Sequence, residues 1–202
     1  GMCKSISERI VTSYCKYPNL SHIKFINTRY GNVLDSRGSI LPLFRYQIQK
    51  DSHLTVTHPD MTRFLMTLND SVDLIMHAYD NGNSGDTWIP KLKSMKIIDM
   101  ANIFSKKYNK PIKVTGIRPG EKMHESLVSR SESIRTYEKG GHYVIKPSYS
   151  SSVHDNIFEY NSAQDVFSPE GLQKYLDTLG LLDKEIEDFP GKTIVENTRP
   201  FK

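Results

Sequence analysis

Residues 22–32 read HIKFINTRYGN, and this stretch decides the predicted fold. Its apolar residues predict a buried strand that runs from His22 to Tyr30 and ends at Gly31. A helical apolar repeat precedes it, from Ile6 to Tyr17, and is ended by Pro18. A helix followed by a buried strand is half of a βαβ unit, so this region predicts an α/β chain with a parallel sheet.

Helices and strands alternate along the rest of the chain. Apolar repeats and turn residues predict helices at about Ile40–Gln49, Asn69–Asn81 and Lys96–Tyr108, a short helix between Glu121 and Val128, and a last helix after Ser168-Pro169 that closes at Gly180. Strands are predicted at Leu54–Thr57, Asp86–Ile89, Pro111–Ile117 and Tyr143–Lys146. Thr67 with Asp70 predicts a capping box, and Ser94 a second helix cap.

The pattern predicts only part of a larger α/β fold. A buried parallel strand needs neighbouring strands and a helix on each face, and this sequence supplies one such strand at its start. No Gly-x-Gly-x-x-Gly motif occurs in the 202 residues, so the phosphate loop of a complete dinucleotide fold is missing from them. We therefore expect the second half of a larger fold.

Composition excludes several classes of protein. Apolar residues make up 37% and charged residues 25%, which is typical of a globular chain. The sequence contains no run of about 18 apolar residues, so no membrane span is predicted, and no secretory signal is recognisable. The only cysteines are Cys3 and Cys15, so a disulfide scaffold is excluded, and histidine spacing predicts no metal site. A net charge of +4 without a basic stripe argues against nucleic-acid binding.

Arg118-Pro119-Gly120-Glu121 is the most informative local motif. Proline and glycine at its central positions predict a type II turn, which presents Arg118 and Glu121 at a fixed separation. A guanidinium binds phosphate bidentately and a carboxylate accepts hydrogen bonds from ribose hydroxyls, so the pair suits a nucleoside diphosphate. A surface turn with a solvated ion pair is the alternative.

Three further polar residues lie at positions where ligands bind. Arg63 sits between apolar residues, where a charge is paired in a structural salt bridge or binds an anion. Asn32 and Arg37 follow the predicted buried strand, at the strand end where open α/β sheets bind ligands. Ordinary turn chemistry remains the alternative for Asn32.

Several motifs together resemble a known family. In order they are Arg29-Tyr30-Gly31-Asn32-Val33, Ser36-Arg37-Gly38-Ser39, Met61-Thr62-Arg63-Phe64, Ile89-Pro90-Lys91 with Ser94-Met95-Lys96-Ile97, and Ile117–Glu125 (IRPGEKMHE). The set resembles the UDP-N-acetylglucosamine 4,6-dehydratases and 5-epimerases of polysaccharide biosynthesis, which are extended short-chain dehydrogenases/reductases. Phe158–Ser162 resembles the tail of the capsule-type members. The resemblance is dense over residues 1–130.

The resemblance implies the C-terminal part of an extended short-chain dehydrogenase/reductase fold, with the N-terminal Rossmann half absent. Residues 1–50 would be the remnant of that half, 51–147 a smaller α/β nucleotide-sugar substrate domain, and 148–202 a linker, a helix and a loose tail. Ser148–Ser152 is the expected linker, and the tail would begin after Phe189.

Family members bind NAD or NADP, oxidise C4 of the sugar, eliminate water across C5 and C6, and return the hydride. Lys4 matches the lysine of their Tyr-x-x-x-Lys motif, which would make it a catalytic and cofactor-binding residue, but the tyrosine would precede Gly1. Tyr30 would lie near the nicotinamide. Asn32, Arg63 and Arg118 would hold the diphosphate, Glu121 the uridine ribose, and Arg37 part of the nucleotide loop.

We therefore expect the substrate-binding portion of an NAD(P)-dependent dehydratase/epimerase, inactive alone and without tight cofactor binding. A non-catalytic UDP-sugar-binding or partner-complementing module is the alternative. The expected partners are a UDP-sugar and either a second copy or a chain that carries the Rossmann half, because an unpaired sheet edge and an apolar helix face favour association. A cytoplasmic location is expected.

Overall fold

The computed structural model describes residues 2–150, 155 and 157–183. The helices are α1 (Met2–Tyr14), α2 (Ile40–Gln49), α3 (Leu68–Asn81), α4 (Ile97–Tyr108), α5 (Arg130–Ser133) and α6 (Pro169–Thr178). The strands are β1 (Asn27–Thr28), β2 (Asn32–Val33), β3 (Leu54–Val56), β4 (Thr62–Met66), β5 (Thr87–Pro90), β6 (Ser94–Lys96), β7 (Ile112–Val114), β8 (Ser126–Val128), β9 (Thr136–Lys139), β10 (His142–Ile145) and β11 (Tyr160–Asn161).

The chain folds into two compact units whose segments alternate along the sequence. The first unit takes the described residues of 1–31, 67–92 and 126–161. The second takes those of 32–66, 93–125 and 162–202. The linear division at residues 50 and 147 stays a prediction.

The first unit is built on a mixed sheet with strand order β1-β5-β10-β9. β1 pairs with β5 in parallel, and the hairpin β9–β10 continues the sheet antiparallel to β5. Gly140 and Gly141 have φ values of +56° and +77°, as a tight two-residue hairpin turn requires. Leu74, Ala78, Trp88 and Val144 form the core between α3 and this sheet.

The second unit contains a three-stranded sheet, β2-β4-β6, and a parallel pair, β3-β7. α2, α4 and α6 supply the apolar side chains of its core, in which the rings of Phe44 and Phe104 lie 5.9 Å apart. Leu172 and Leu176 of α6 are fully buried there. Burial of this apolar surface is the main force that holds the unit together.

Most predicted elements occur where the sequence places them. α2 has the predicted bounds, and the Thr67–Asp70 capping box forms, with Thr67 Oγ1 accepting from Asp70 N–H at 3.1 Å. Ser168 Oγ caps α6 by accepting from Gly171 N–H at 3.0 Å. The α/β fold class expected from the resemblance is confirmed, since helices and mixed sheets alternate along the described residues.

Several local predictions are wrong. The long strand predicted from His22 shrinks to β1, because β5 offers it a partner over two residues only. Ser94 caps no helix but lies in β6, and the predicted helix up to Val128 is replaced by β8, which pairs with β11. β4 and β9 were not predicted as strands. The expected tail after Phe189 lies outside the described residues, as do Ser151 and Ser152 of the expected linker.

Four large apolar side chains of α3 lie on the surface rather than in the core. Leu68, Val72, Ile75 and Tyr79 are 66%, 50%, 49% and 69% exposed, whereas Ser71, Leu74 and Ala78 are buried. α1 likewise has no buried residue, and its Ile6 and Ile10 are 53% and 51% exposed. The helix pattern was correct, but the described part of the chain supplies no cover for these faces.

Candidate functional site

The Arg118–Glu121 turn forms as the sequence predicts. Glu121 N–H donates to Arg118 O at 3.0 Å, and Gly120 has a φ of +79°, which a type II turn requires at that position. The Glu121 carboxylate closes the turn a second time, because its Oε2 accepts from Arg118 N–H at 3.2 Å. Glu121 is therefore turned inward, while the Arg118 side chain is exposed and has no ion pair among the described residues.

Arg63 lies on β4, and its side chain is 12% exposed. Nη1 donates to the carbonyls of Thr62 at 2.7 Å and of Met123 at 3.2 Å. Nη2 lies 3.1 Å from the sulfur of Met61. One edge of the guanidinium thus holds the segment after the Arg118–Glu121 turn against β4, which gives Arg63 a structural role.

The other edge of Arg63 faces two carboxylates. Glu121 Oε1 lies 3.9 Å from Nη2, and Glu125 Oε1 lies 3.7 Å from Nε. These distances exceed hydrogen-bond length, so both ion pairs are loose. Thr57 Oγ1 also contacts Glu121 Oε1, at 3.4 Å. We call Arg63, Glu121 and Glu125 the Arg63 cluster. The cluster combines a guanidinium edge, of the kind that donates hydrogen bonds to phosphate, with carboxylates, of the kind that accept hydrogen bonds from hydroxyl groups.

A buried hydroxyl pair fixes the backbone of this cluster. Thr62 Oγ1 lies 2.7 Å from Ser162 Oγ and 2.8 Å from Nδ1 of His124. Ser162 Oγ accepts from Glu125 N–H at 2.9 Å, and Ser162 N–H donates to Glu125 O at 2.8 Å. The cluster is thus tied to a segment 100 residues beyond β4. These residues lie inside the quoted motifs, but sequence reasoning singled out none of them.

Asn32 and Arg37 belong to the same unit as the Arg63 cluster. Asn32 on β2 pairs with Leu65 on β4, so the strand period of two places Asn32 and Arg63 on the same face of that sheet. Arg37 is exposed in the loop between β2 and α2, next to Gly38 with a φ of +79°. The structure therefore brings together Arg63, Glu121 and the backbone of Arg118, with Asn32 on an adjoining strand.

Lys4 and Tyr30 lie in the first unit. Lys4 is exposed on α1, and Tyr30 is 44% exposed just after β1. Their predicted roles beside a nicotinamide stay predictions. The first unit also contains a cluster of charged side chains around Arg29, the residue that directly precedes Tyr30.

Arg29 makes close hydrogen bonds with two glutamates of the first unit. Its Nη2 lies 2.5 Å from Glu8 Oε1 and 2.6 Å from Glu132 Oε1, and Nη1 also donates to Leu127 O at 2.8 Å. Burial raises the pKa of Glu132, but hydrogen bonds from Arg29 and Ser129 outweigh it and bring the pKa to about 2. Burial likewise lowers the pKa of Arg29, and the two glutamates raise it well above its usual range.

Two negative findings apply to the described residues. No helix there is both long enough and apolar enough to cross a bilayer. No group of three or more His, Cys, Asp or Glu side chains in that part of the chain is arranged to hold a metal ion.

Comparison with known sequences gives consistent matches. A family model described as a polysaccharide biosynthesis protein matches residues 1–147. A UDP-glucose 4-epimerase of Rickettsia felis is 40% identical over 149 residues, which cover 72% of this chain and 43% of the epimerase. An uncharacterized membrane protein of Methanocaldococcus jannaschii, MJ1061, is 36% identical over 90% of this chain and 58% of its own length. The chain thus spans about half the length of these relatives.

Among solved structures, Pen from Bacillus thuringiensis matches with a TM-score of 0.78 and 32% identity. The match covers 87% of this chain and 55% of Pen. Both units of the present chain therefore have counterparts in a longer protein.

Proposed function

Because this chain belongs to the polysaccharide biosynthesis protein family, we propose that its second unit binds the UDP part of a nucleotide sugar. In this proposal the chain is the substrate-binding portion of an NAD(P)-dependent UDP-N-acetylglucosamine 4,6-dehydratase/5-epimerase of surface polysaccharide synthesis. A cytoplasmic location and a capsule-related role are part of the proposal and rest on the resemblance.

The Arg63 cluster is the observation that carries this proposal. Glu121 lies between Arg63 and the backbone of Arg118, which brings two distant motifs to one place. Arg63 and the exposed Arg118 would contact the diphosphate, because guanidinium groups form bidentate hydrogen bonds with phosphate oxygens. Glu121 would accept hydrogen bonds from the ribose hydroxyls. Asn32 would contact the diphosphate from the adjoining strand, and Arg37 would complete the nucleotide loop.

NAD or NADP would be required for the redox chemistry of the complete reaction. The residues present do not by themselves fit a dinucleotide: Lys4 is a solvated cation, Tyr30 is half exposed, and the 202 residues hold no Gly-x-Gly-x-x-Gly motif. The chain alone is expected to produce no 4-keto sugar from UDP-N-acetylglucosamine and NAD(P), and clear turnover would contradict this.

Calorimetric titration with UDP tests the binding function. We expect heat of binding with the wild type and none with Arg118→Ala. Arg130→Ala is the matched control, because it removes an equally exposed guanidinium at the start of α5. Equal binding by both variants, or no binding by the wild type, would contradict the proposal.

A second candidate reaction is the 4-epimerisation of a UDP-hexose, which the name of the Rickettsia felis relative favours. It uses the same UDP site, so the binding test does not separate the two. A complemented enzyme would separate them, because a dehydratase releases a 4-keto-6-deoxy sugar and an epimerase returns an intact hexose.

The partner is proposed to be a second copy or a chain that carries a dinucleotide-binding half. The exposed apolar faces of α1 and α3 support it, since apolar patches of this kind mark association sites. Light scattering at high concentration should show association. A clean monomer would count against a self-associating chain.

A further inference from the structure

The two edges of the Arg63 guanidinium have different environments. Nη1 is committed to the carbonyls of Thr62 and Met123 at 2.7 and 3.2 Å. Among the described residues, the edge formed by Nε and Nη2 faces carboxylate oxygens at 3.7 and 3.9 Å and the sulfur of Met61. An incoming anion therefore reaches Arg63 by the Nε–Nη2 edge.

The two carboxylates on that edge are not equivalent. Glu121 also accepts from Arg118 N–H and contacts Thr57 Oγ1, and its side chain is 24% exposed. The side chain of Glu125 is 41% exposed. Among the described residues, its carboxylate forms one ion pair, the loose contact with Arg63, and no hydrogen bond of normal length. Glu125 is thus the carboxylate that an anion displaces most easily.

The backbone of Glu125 stays in place when its side chain moves. Its N–H and C=O are both hydrogen-bonded to Ser162, whose side chain is fully buried. The carboxylate therefore leaves the Nε edge by a change of side-chain rotamer alone, and while it lies there it repels an incoming anion.

We propose that Glu125 lowers the affinity of this site for phosphates, because it competes with the phosphate of the ligand for the Nε edge of Arg63. This inference rests on the proposed function and extends it. A phosphate binds at that edge only when Glu125 swings away, so the residue weakens the binding of inorganic anions. A ligand that also uses Glu121 through its ribose has further contacts that offset this cost, whereas a free phosphate has none.

Glu125→Gln tests the proposal, because it removes the charge and keeps the size and the backbone contacts. We expect the variant to bind both UDP and inorganic pyrophosphate roughly three- to tenfold more tightly by calorimetry. Binding of uridine, which has no phosphate, should be unchanged. Glu170→Gln is the matched control, because it removes the same charge from an exposed position at the start of α6. Glu125→Ala is a second variant, with the same expected direction, should the glutamine variant fold poorly.

The outcomes separate this inference from the proposed function. If UDP binds the wild type and Glu125→Gln binds it no more tightly than Glu170→Gln does, the inference is wrong and the proposed function stands. If UDP binds neither the wild type nor Glu125→Gln, but pyrophosphate binds Glu125→Gln more tightly than it binds the wild type, the inference stands and the proposed function fails. If neither UDP nor pyrophosphate binds any variant, both are wrong.

Discussion

Each unit of the molecule places one arginine between two glutamates, and the two arrangements differ in closeness. In the first unit, Arg29 contacts Glu8 and Glu132 at 2.5 and 2.6 Å. In the second, Arg63 keeps its glutamates at 3.7 and 3.9 Å and bonds backbone carbonyls instead. Closely paired ions satisfy each other, whereas loosely paired ones keep capacity for a ligand. The difference indicates a structural role for Arg29, and it supports the binding role that we propose for Arg63 in addition to its backbone contacts.

Replacing Arg29 with alanine should have the largest effect on stability. It leaves the mostly buried Glu8 and Glu132 without their cation, and removing one partner of such a group costs about 2–4 kcal/mol. Urea unfolding followed by circular dichroism measures the loss. Arg118→Ala is the control, because that side chain is exposed and unpaired among the described residues, and it should change the free energy of unfolding little. A loss for Arg29→Ala as small as that of the control would remove the contrast between the units.

The same network predicts a pH dependence. The pKa of Glu132 is lowered from 4.5 to about 2 in the folded chain. A lowered carboxyl pKa adds stability above the unfolded pKa, and that stability is lost as the pH falls from about 4.5 towards 2. The contribution is on the order of 2 kcal/mol after allowance for partial solvent exposure. Unfolding measured between pH 6 and pH 2 should show this loss for the wild type and a smaller one for Glu132→Gln. Identical curves would show that Arg29 does not hold Glu132 ionised.

Ser162→Ala should destabilise the second unit by about 1–2 kcal/mol, because it leaves the buried Thr62 hydroxyl and Glu125 N–H short of a partner. Thermal or urea unfolding measures the change, and the exposed Ser148→Ala is the control. A neutral result would mean that the hydroxyl pair does not fix the position of Glu125.

Local chemistry made part of this molecule predictable. The Arg118–Glu121 turn depends on Pro119 and Gly120, and the α3 cap on Thr67 and Asp70, so residues within one turn specify each of them. The apolar repeat likewise specified α2 correctly.

Other features depend on contacts between distant parts of the chain. The hydroxyl pair of Thr62 and Ser162 joins positions 100 residues apart, which no local pattern indicates. Ser94 is a residue type that often caps helices, but pairing with Phe64 of β4 makes it part of a strand. The apolar repeat predicted α3 as a helix, yet such a repeat does not say which face the rest of the chain covers.

The Nε resonances of the two arginines test the central claim most directly. In a titration of the chain with UDP followed by nitrogen-15 NMR, the Nε signal of Arg63 should shift with saturation while that of Arg29 stays in place. A shift of Arg29 instead of Arg63, or no shift of either, would contradict the assignment of the binding site to the second unit.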